Sequence, residues 1–231
     1  MRPVAALALA ALLAGCTAER APDPAPTPTA TVAAPRTLVA ADLDPATLGP
    51  RVAGMAVEDM TVGGHAAPLA RVSAFVACAR GMTACDPAVL PEGTIYTYFL
   101  TITPAPPAAA PVASASTVDP AAPAEAPAEL VGMNMAAAGF NGAVGFAHAE
   151  AAVALGKEDA LGVTLDQNRL IWRVTGGSGW TPGRPVTLWW QSTRPPAGQA
   201  AAYRLEYAGQ RADIRAPFPA EDKAVERDSP R

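Results

Sequence analysis

Histidine occurs twice in 231 residues, cysteine three times, and no apolar run approaches the roughly 20 residues that a membrane-spanning helix needs. So little histidine leaves poor material for a catalytic metal, which usually takes three protein ligands. His65 stands alone in V-G-G-H-A-A, and His148 lies two positions from Glu150, a spacing that sends the pair to different sides of a helix. Either histidine with Ser73, Ser178 or Ser192 supplies the parts of a serine triad. No G-x-S-x-G elbow accompanies them, because Gly176-Gly177-Ser178-Gly179 is followed by Trp180 where the last glycine would stand. The same run lacks the Lys-Ser/Thr of a phosphate loop and reads as a tight turn. Asp42, Asp44, Glu58 and Asp59 lack the regular spacing of a calcium loop. Charge is also scarce: 16% of residues are charged, the formal net charge is −4, and no basic cluster exceeds two residues, which argues against a nucleic-acid surface. These shortages lead us to expect no catalytic residues, no metal, no cofactor and no nucleic-acid partner.

What is present begins with an address. Arg2 precedes an apolar run over residues 4–13 that ends in small residues, the layout of an export signal. The run closes on Leu13-Ala14-Gly15-Cys16, and L-A-G-C resembles the lipobox of bacterial lipoproteins. The resemblance implies a diacylglyceryl group on the Cys16 thiol, cleavage after Gly15, and a membrane as partner through that lipid. Each buried CH₂ contributes about 0.8 kcal/mol, so two or three acyl chains hold a protein firmly where one does not. Thr17 rather than aspartate follows the cysteine, which in lipoproteins of this kind implies the outer membrane, facing the periplasm or the cell surface, rather than the inner one.

An exported chain folds under oxidising conditions, where Cys78 and Cys85 form a disulfide by default. A loop this short is worth about 2.5 kcal/mol in the chain-entropy picture. A redox pair and half a metal site are the alternatives, but the first usually has two intervening residues and the second needs more ligands.

Residues 1–15 thus read as the signal and 16–36 as a lipidated tether, with prolines at 22, 24, 26, 28 and 35 favouring an extended stalk. A domain follows over residues 37–216. Residues 71–78 alternate as a strand, and residues 94–103, T-I-Y-T-Y-F-L-T-I-T, give the clearest strand signal: Tyr96, Tyr98, Leu100 and Ile102 share one face. Residues 104–129 hold seven prolines among small and acidic residues and read as a disordered insertion between strands of one sheet, a linker between two small domains being the competing reading.

Beyond it, residues 130–135 suggest a strand and residues 139–146 are glycine-punctuated. Residues 148–155 suggest a short helix stopped by Gly156, with Ala149, Ala152, Val153 and Leu155 facing a core. Strands are expected over 161–165 and 169–174, around an Asp166-Gln167-Asn168 loop, then over 186–191, 201–207 and 212–215, with a turn at Gly209-Gln210. Residues 217–231 form a polar tail. Short strands between turns, one helix and no βαβ alternation predict an all-β, immunoglobulin-like antiparallel sandwich.

Residues 171–205 carry Trp172, Gly179-Trp180-Thr181-Pro182-Gly183, an aromatic strand, Ser192, Pro195-Pro196 and Tyr203. This skeleton resembles the closing strands of immunoglobulin-like domains in exported bacterial surface proteins. The resemblance implies adhesion, scaffolding or binding rather than catalysis. It also draws attention to Trp180, Trp189, Trp190 and Tyr203, which crowd the last third of a chain with only 6% aromatic residues. Neighbours in a strand point to opposite faces, so Trp189 and Trp190 are both core only if a helix or the insertion covers the outer one. Left uncovered, these side chains offer a stacking surface for a glycan or for a protein of the envelope.

Overall fold

A computed structural model describes residues 34–63, 68–106, 128–132 and 134–220, all within the unit Ala33–Arg231. The signal, Cys16, most of the tether, His65, nearly all of the insertion and residues 221–231 lie outside the described residues.

Two antiparallel sheets make a sandwich. One contains β1 (Arg36–Leu38), β7 (Leu161–Asp166), β8 (Arg169–Val174), β5 (Glu129–Gly132), β10 (Pro196–Tyr207) and β11 (Gln210–Pro219), in that spatial order. The other runs β2 (Val57–Gly63), β3 (Pro68–Cys78), β4 (Tyr96–Pro104), β9 (Val186–Ser192) and β6 (Phe140–Phe146). Among the described residues the fold is all-β apart from α1 (His148–Leu155) and a 3₁₀ turn at Pro45–Thr47. Strands on both sides of residues 107–127 belong to this one sandwich, β4 in the second sheet and β5 inside the first.

The period of two written into β4 is what builds the core. Val76, Tyr98, Trp190 and Val144 lie in one inward row across β3, β4, β9 and β6, and Ala74, Leu100, Leu188 and Phe146 in the next. Facing them, Ile214, Tyr203, Gly132 and Leu170 form a row across the six-stranded sheet, beside Leu205, Leu130, Trp172 and Val163. All of these side chains except that of Gly132 belong to one buried cluster. Two of the buried indoles reach polar partners: Trp172 Nε1 donates to the Gly145 carbonyl at 3.1 Å, and Trp190 Nε1 to the Tyr203 hydroxyl at 3.0 Å.

Several local expectations shift. The first hairpin turns on two residues, not three: Gln167 and Asn168 both have positive φ and Asp166 pairs with Arg169, the geometry that follows the strand twist most closely. The second turns at Ala208-Gly209, one residue earlier than expected. The helix presents Ala151, Ala154 and Leu155 to the core while Val153 is 63% exposed. With alanine at half of its positions the helix has little apolar contrast, and its contacts, not its own pattern, orient it. The glycine-punctuated stretch becomes a strand, β6, from Phe140 to Phe146, and β11 runs on to Pro219.

The glycine run 176–179 is a turn wrapped around the carboxy-terminal end of α1. Ser178 N–H donates to the Leu155 carbonyl at 2.9 Å, and a Cβ at Gly177 would collide with that same oxygen. Gly156 closes the helix in the left-handed region at φ 81°, as its place predicted.

Candidate functional site

Cys78 closes β3 and is joined to Cys85 by a disulfide, with Cα atoms 5.7 Å apart. Both residues are buried. The bridge pins the loop that leads from β3 back towards β4.

The four aromatic residues singled out from the sequence do not form an exposed face. Trp190 and Tyr203 are fully buried, Trp189 is 4% exposed and Trp180 6%. Trp190 stacks on Tyr98 at 4.5 Å between ring centroids and, through its indole N–H, ties to Tyr203 on the opposite sheet. Trp180 sits apart, edge-on to Tyr207, with its N–H on the Arg184 carbonyl. The structure thus brings Trp190 and Tyr203 together as inter-sheet core, and these four side chains present no exposed ring face. Burial in the core raises the hydroxyl pKa of both Tyr98 and Tyr203 well above the ordinary value of 10.0.

Trp189 points away from that core, as adjacency to Trp190 requires. Its cover comes not from the helix but from residues 39–52, which cross the outer face of the five-stranded sheet as a strap. Beneath the strap Phe75, Phe99, Trp189 and Gly145 stand side by side on β3, β4, β9 and β6. Phe75 and Phe99 stack at 4.7 Å. Ala77, Phe99 and Trp189 make a second, small core, with Leu43 and Leu48 of the strap packed onto it. The Arg51 guanidinium lies 3.8 Å from the centre of the Phe75 ring and closes the row at its far end.

The strap is tied down only near its ends. Ala41 pairs in parallel with Gly145, donating to the Val144 carbonyl and accepting from Phe146 N–H. Gly49 N–H donates to the Cys78 carbonyl, Cys78 N–H to the Pro50 carbonyl, and Val52 N–H to the Val76 carbonyl. Between these ends Asp44 caps the 3₁₀ turn, and the Asp42 carboxylate accepts from His148 N–H at 3.0 Å, giving α1 a cap that its own Ala147 cannot provide. Two buried side-chain nitrogens among the described residues have no hydrogen-bond partner: Trp189 Nε1, beneath the strap, and His148 Nε2, on the residue whose N–H Asp42 caps.

Among the described residues the triad candidates do not assemble. The Ser192 hydroxyl is buried, donating to the Ala138 carbonyl at 2.6 Å and accepting from Arg194 N–H. Ser178 reaches the Leu155 carbonyl, and His148 lies against Phe146 at 4.5 Å. Glu150, flagged beside His148, instead accepts a hydrogen bond from Thr187 N–H, tying the helix to β9.

No family model matches the chain, and no curated protein or solved structure is significantly similar to it. What the surface offers must therefore be read from its own chemistry. A groove of about 710 Å³ runs between the disulfide loop and the segment leading into β10, lined by Pro87, Leu90, Pro91, Tyr96, Pro195 and Pro196 among others. Burial, then the Asp86 charge, raises the Tyr96 pKa there. Among the described residues no group of three or more His, Cys, Asp or Glu side chains is arranged to hold a metal ion, and no helix is long and apolar enough to cross a membrane.

Sequence reasoning missed the strap and its bed. Phe75 and Phe99 were legible as the second face of their strands. Nothing local marked residues 39–52 as their cover, although the Asp44-Pro45 turn and the leucines at 43 and 48 were in plain view.

Proposed function

We propose that the protein is a lipid-anchored lipoprotein of the bacterial cell envelope, whose β-sandwich acts as a non-catalytic binding or structural module held off the membrane by a proline-rich tether. The L-A-G-C sequence ending at Cys16, directly after a basic residue and a short apolar run, carries this reading. The Cys78–Cys85 bond supports it, since a buried structural disulfide is characteristic of an exported domain. Commitment of the aromatic side chains to packing favours a scaffold or a protein-binding role over glycan stacking.

The test is attachment. Cys16→Ala should move the protein from the membrane fraction to the soluble fraction or leave it as unprocessed precursor, and intact mass of the native product should show a chain beginning at residue 16 with added fatty-acid mass. A Cys16→Ala protein that still sediments with membranes in processed form would refute the anchor.

A further inference from the structure

We propose that Asn141-Gly142 is a self-modifying site, at which the folded protein converts its own asparagine to aspartate and isoaspartate through a cyclic imide. Asn141 is followed by glycine, whereas the other asparagines of the chain, Asn134 and Asn168, precede Met135 and Arg169. Cyclisation requires the amide nitrogen of the following residue to reach the asparagine Cγ, and a side chain on that residue obstructs the approach. Gly142 has none, and nothing lies within 4 Å of where its Cβ would stand. Its φ of 98° falls in the left-handed region, which glycine enters without steric cost.

The fold adds position to this dipeptide. β6 is an edge strand, and its Phe140 and Val144 pair with Ser192 and Trp190, so Asn141, Gly142 and Ala143 bulge opposite Gln191 alone. The peptide unit that must turn therefore stands outside the regular ladder, and both Asn141 and Gly142 are exposed to water. Asn141 Oδ1 accepts from Ala143 N–H at 2.9 Å, a turn that folds the carboxamide back towards the intervening Gly142 nitrogen. That N–H also points at the oxygen on which negative charge develops as the nitrogen adds, in the manner of an oxyanion-hole donor. Asn141 Nδ2 donates to Gln191 Oε1 at 3.4 Å and holds the carboxamide from its other end. Asn168 Oδ1, by contrast, accepts from Ala136 N–H, remote in sequence.

The chemistry balances with water as the only co-reactant. The Gly142 nitrogen gives its proton to hydroxide and bonds to Asn141 Cγ. The Cγ–Nδ2 bond then breaks, ammonia leaves after taking a proton from water, and a succinimide ring is closed. Water opens either imide carbonyl, leaving aspartate or its isoaspartyl isomer and a new negative charge at the sheet edge. The isomer lengthens the main chain inside the bulge rather than in the ladder, so the sandwich keeps its pairing.

Peptide mapping of the purified protein, held folded in mildly alkaline buffer, tests the proposal. Asn141 should gain a mass unit, as both aspartyl and isoaspartyl forms, before Asn134 or Asn168 changes. Hydroxylamine should cleave the chain between residues 141 and 142 by trapping the imide. The folded protein should convert at least as fast as a synthetic peptide of residues 138–145, because the fold positions the reacting groups. Slower conversion in the folded protein, or a change first at another asparagine, would overturn the proposal. Asn141→Ser should develop no acidic form over the same period, and an acidic form appearing in that variant at the wild-type rate would equally overturn it. None of these readouts depends on lipid at Cys16.

Discussion

At the scale of the residue, the aromatic side chains act through their polar ends as much as through their area. Trp172, Trp180 and Trp190 each bury a large ring and still place the indole N–H on an oxygen, so burial costs them no hydrogen bond. The tyrosines follow the same rule, and their titration reports it. Tyr98 and Tyr203 have raised pKa values in the folded protein because the ionised ring would sit in the core. The unfolded chain ionises near pH 10 while the folded one stays neutral, so the stability these hydroxyls support is intact below that pH and declines as pH rises above it. Absorbance of tyrosinate should therefore appear in two stages on alkaline titration, the second coinciding with loss of tertiary structure. A single stage complete before unfolding would contradict their burial.

At the scale of the element, one glycine decides whether the strap can lie down. Gly145 sits in β6 where a strand would ordinarily prefer a β-branched residue, and its missing Cβ is occupied by the Ala41 carbonyl. Gly145→Ala should destabilise the protein by about 1–3 kcal/mol, the usual cost of forcing extra volume into a packed site. Denaturant melts would show it, together with increased iodide quenching of Trp189. An unchanged midpoint would mean that the strap does not rest on this strand. The helix is a dependent element in the same sense: Asp42 supplies its amino-terminal cap and the 176–179 turn closes its other end, so α1 is finished by residues distant in sequence.

At the scale of the whole molecule, residues 36–52 bind both layers, β1 pairing with β7 on the six-stranded sheet and the strap crossing the outside of the five-stranded one. The disulfide reinforces the end where the strap comes down, because Cys78 offers both its N–H and its carbonyl to residues 49 and 50. Replacing Cys78 and Cys85 together by serine should lower stability by about 2.5 kcal/mol, with any excess reporting loosening of the strap. Equilibrium unfolding of the oxidised, reduced and serine forms would measure this, and equal midpoints for all three would deny the bridge a structural role.

The alternation of residues 94–103 and the turn residues around the later hairpins were enough to specify a two-layer antiparallel architecture, because strand periodicity and turn chemistry are local properties of the chain. The pairing of Cys78 with Cys85 was equally plain from their number and their expected compartment. Which face of β9 would be open to solvent was not plain. Trp189 and Trp190 had to diverge, but the cover over Trp189 comes from residues about 140 positions earlier that carry no strand pattern of their own. The sequence by itself therefore determined the layers and the bridge. Only the tertiary structure decided that the aromatic residues are packing rather than surface, because burial depends on what a distant segment does, and backbone pairing across such a distance leaves no trace in local composition.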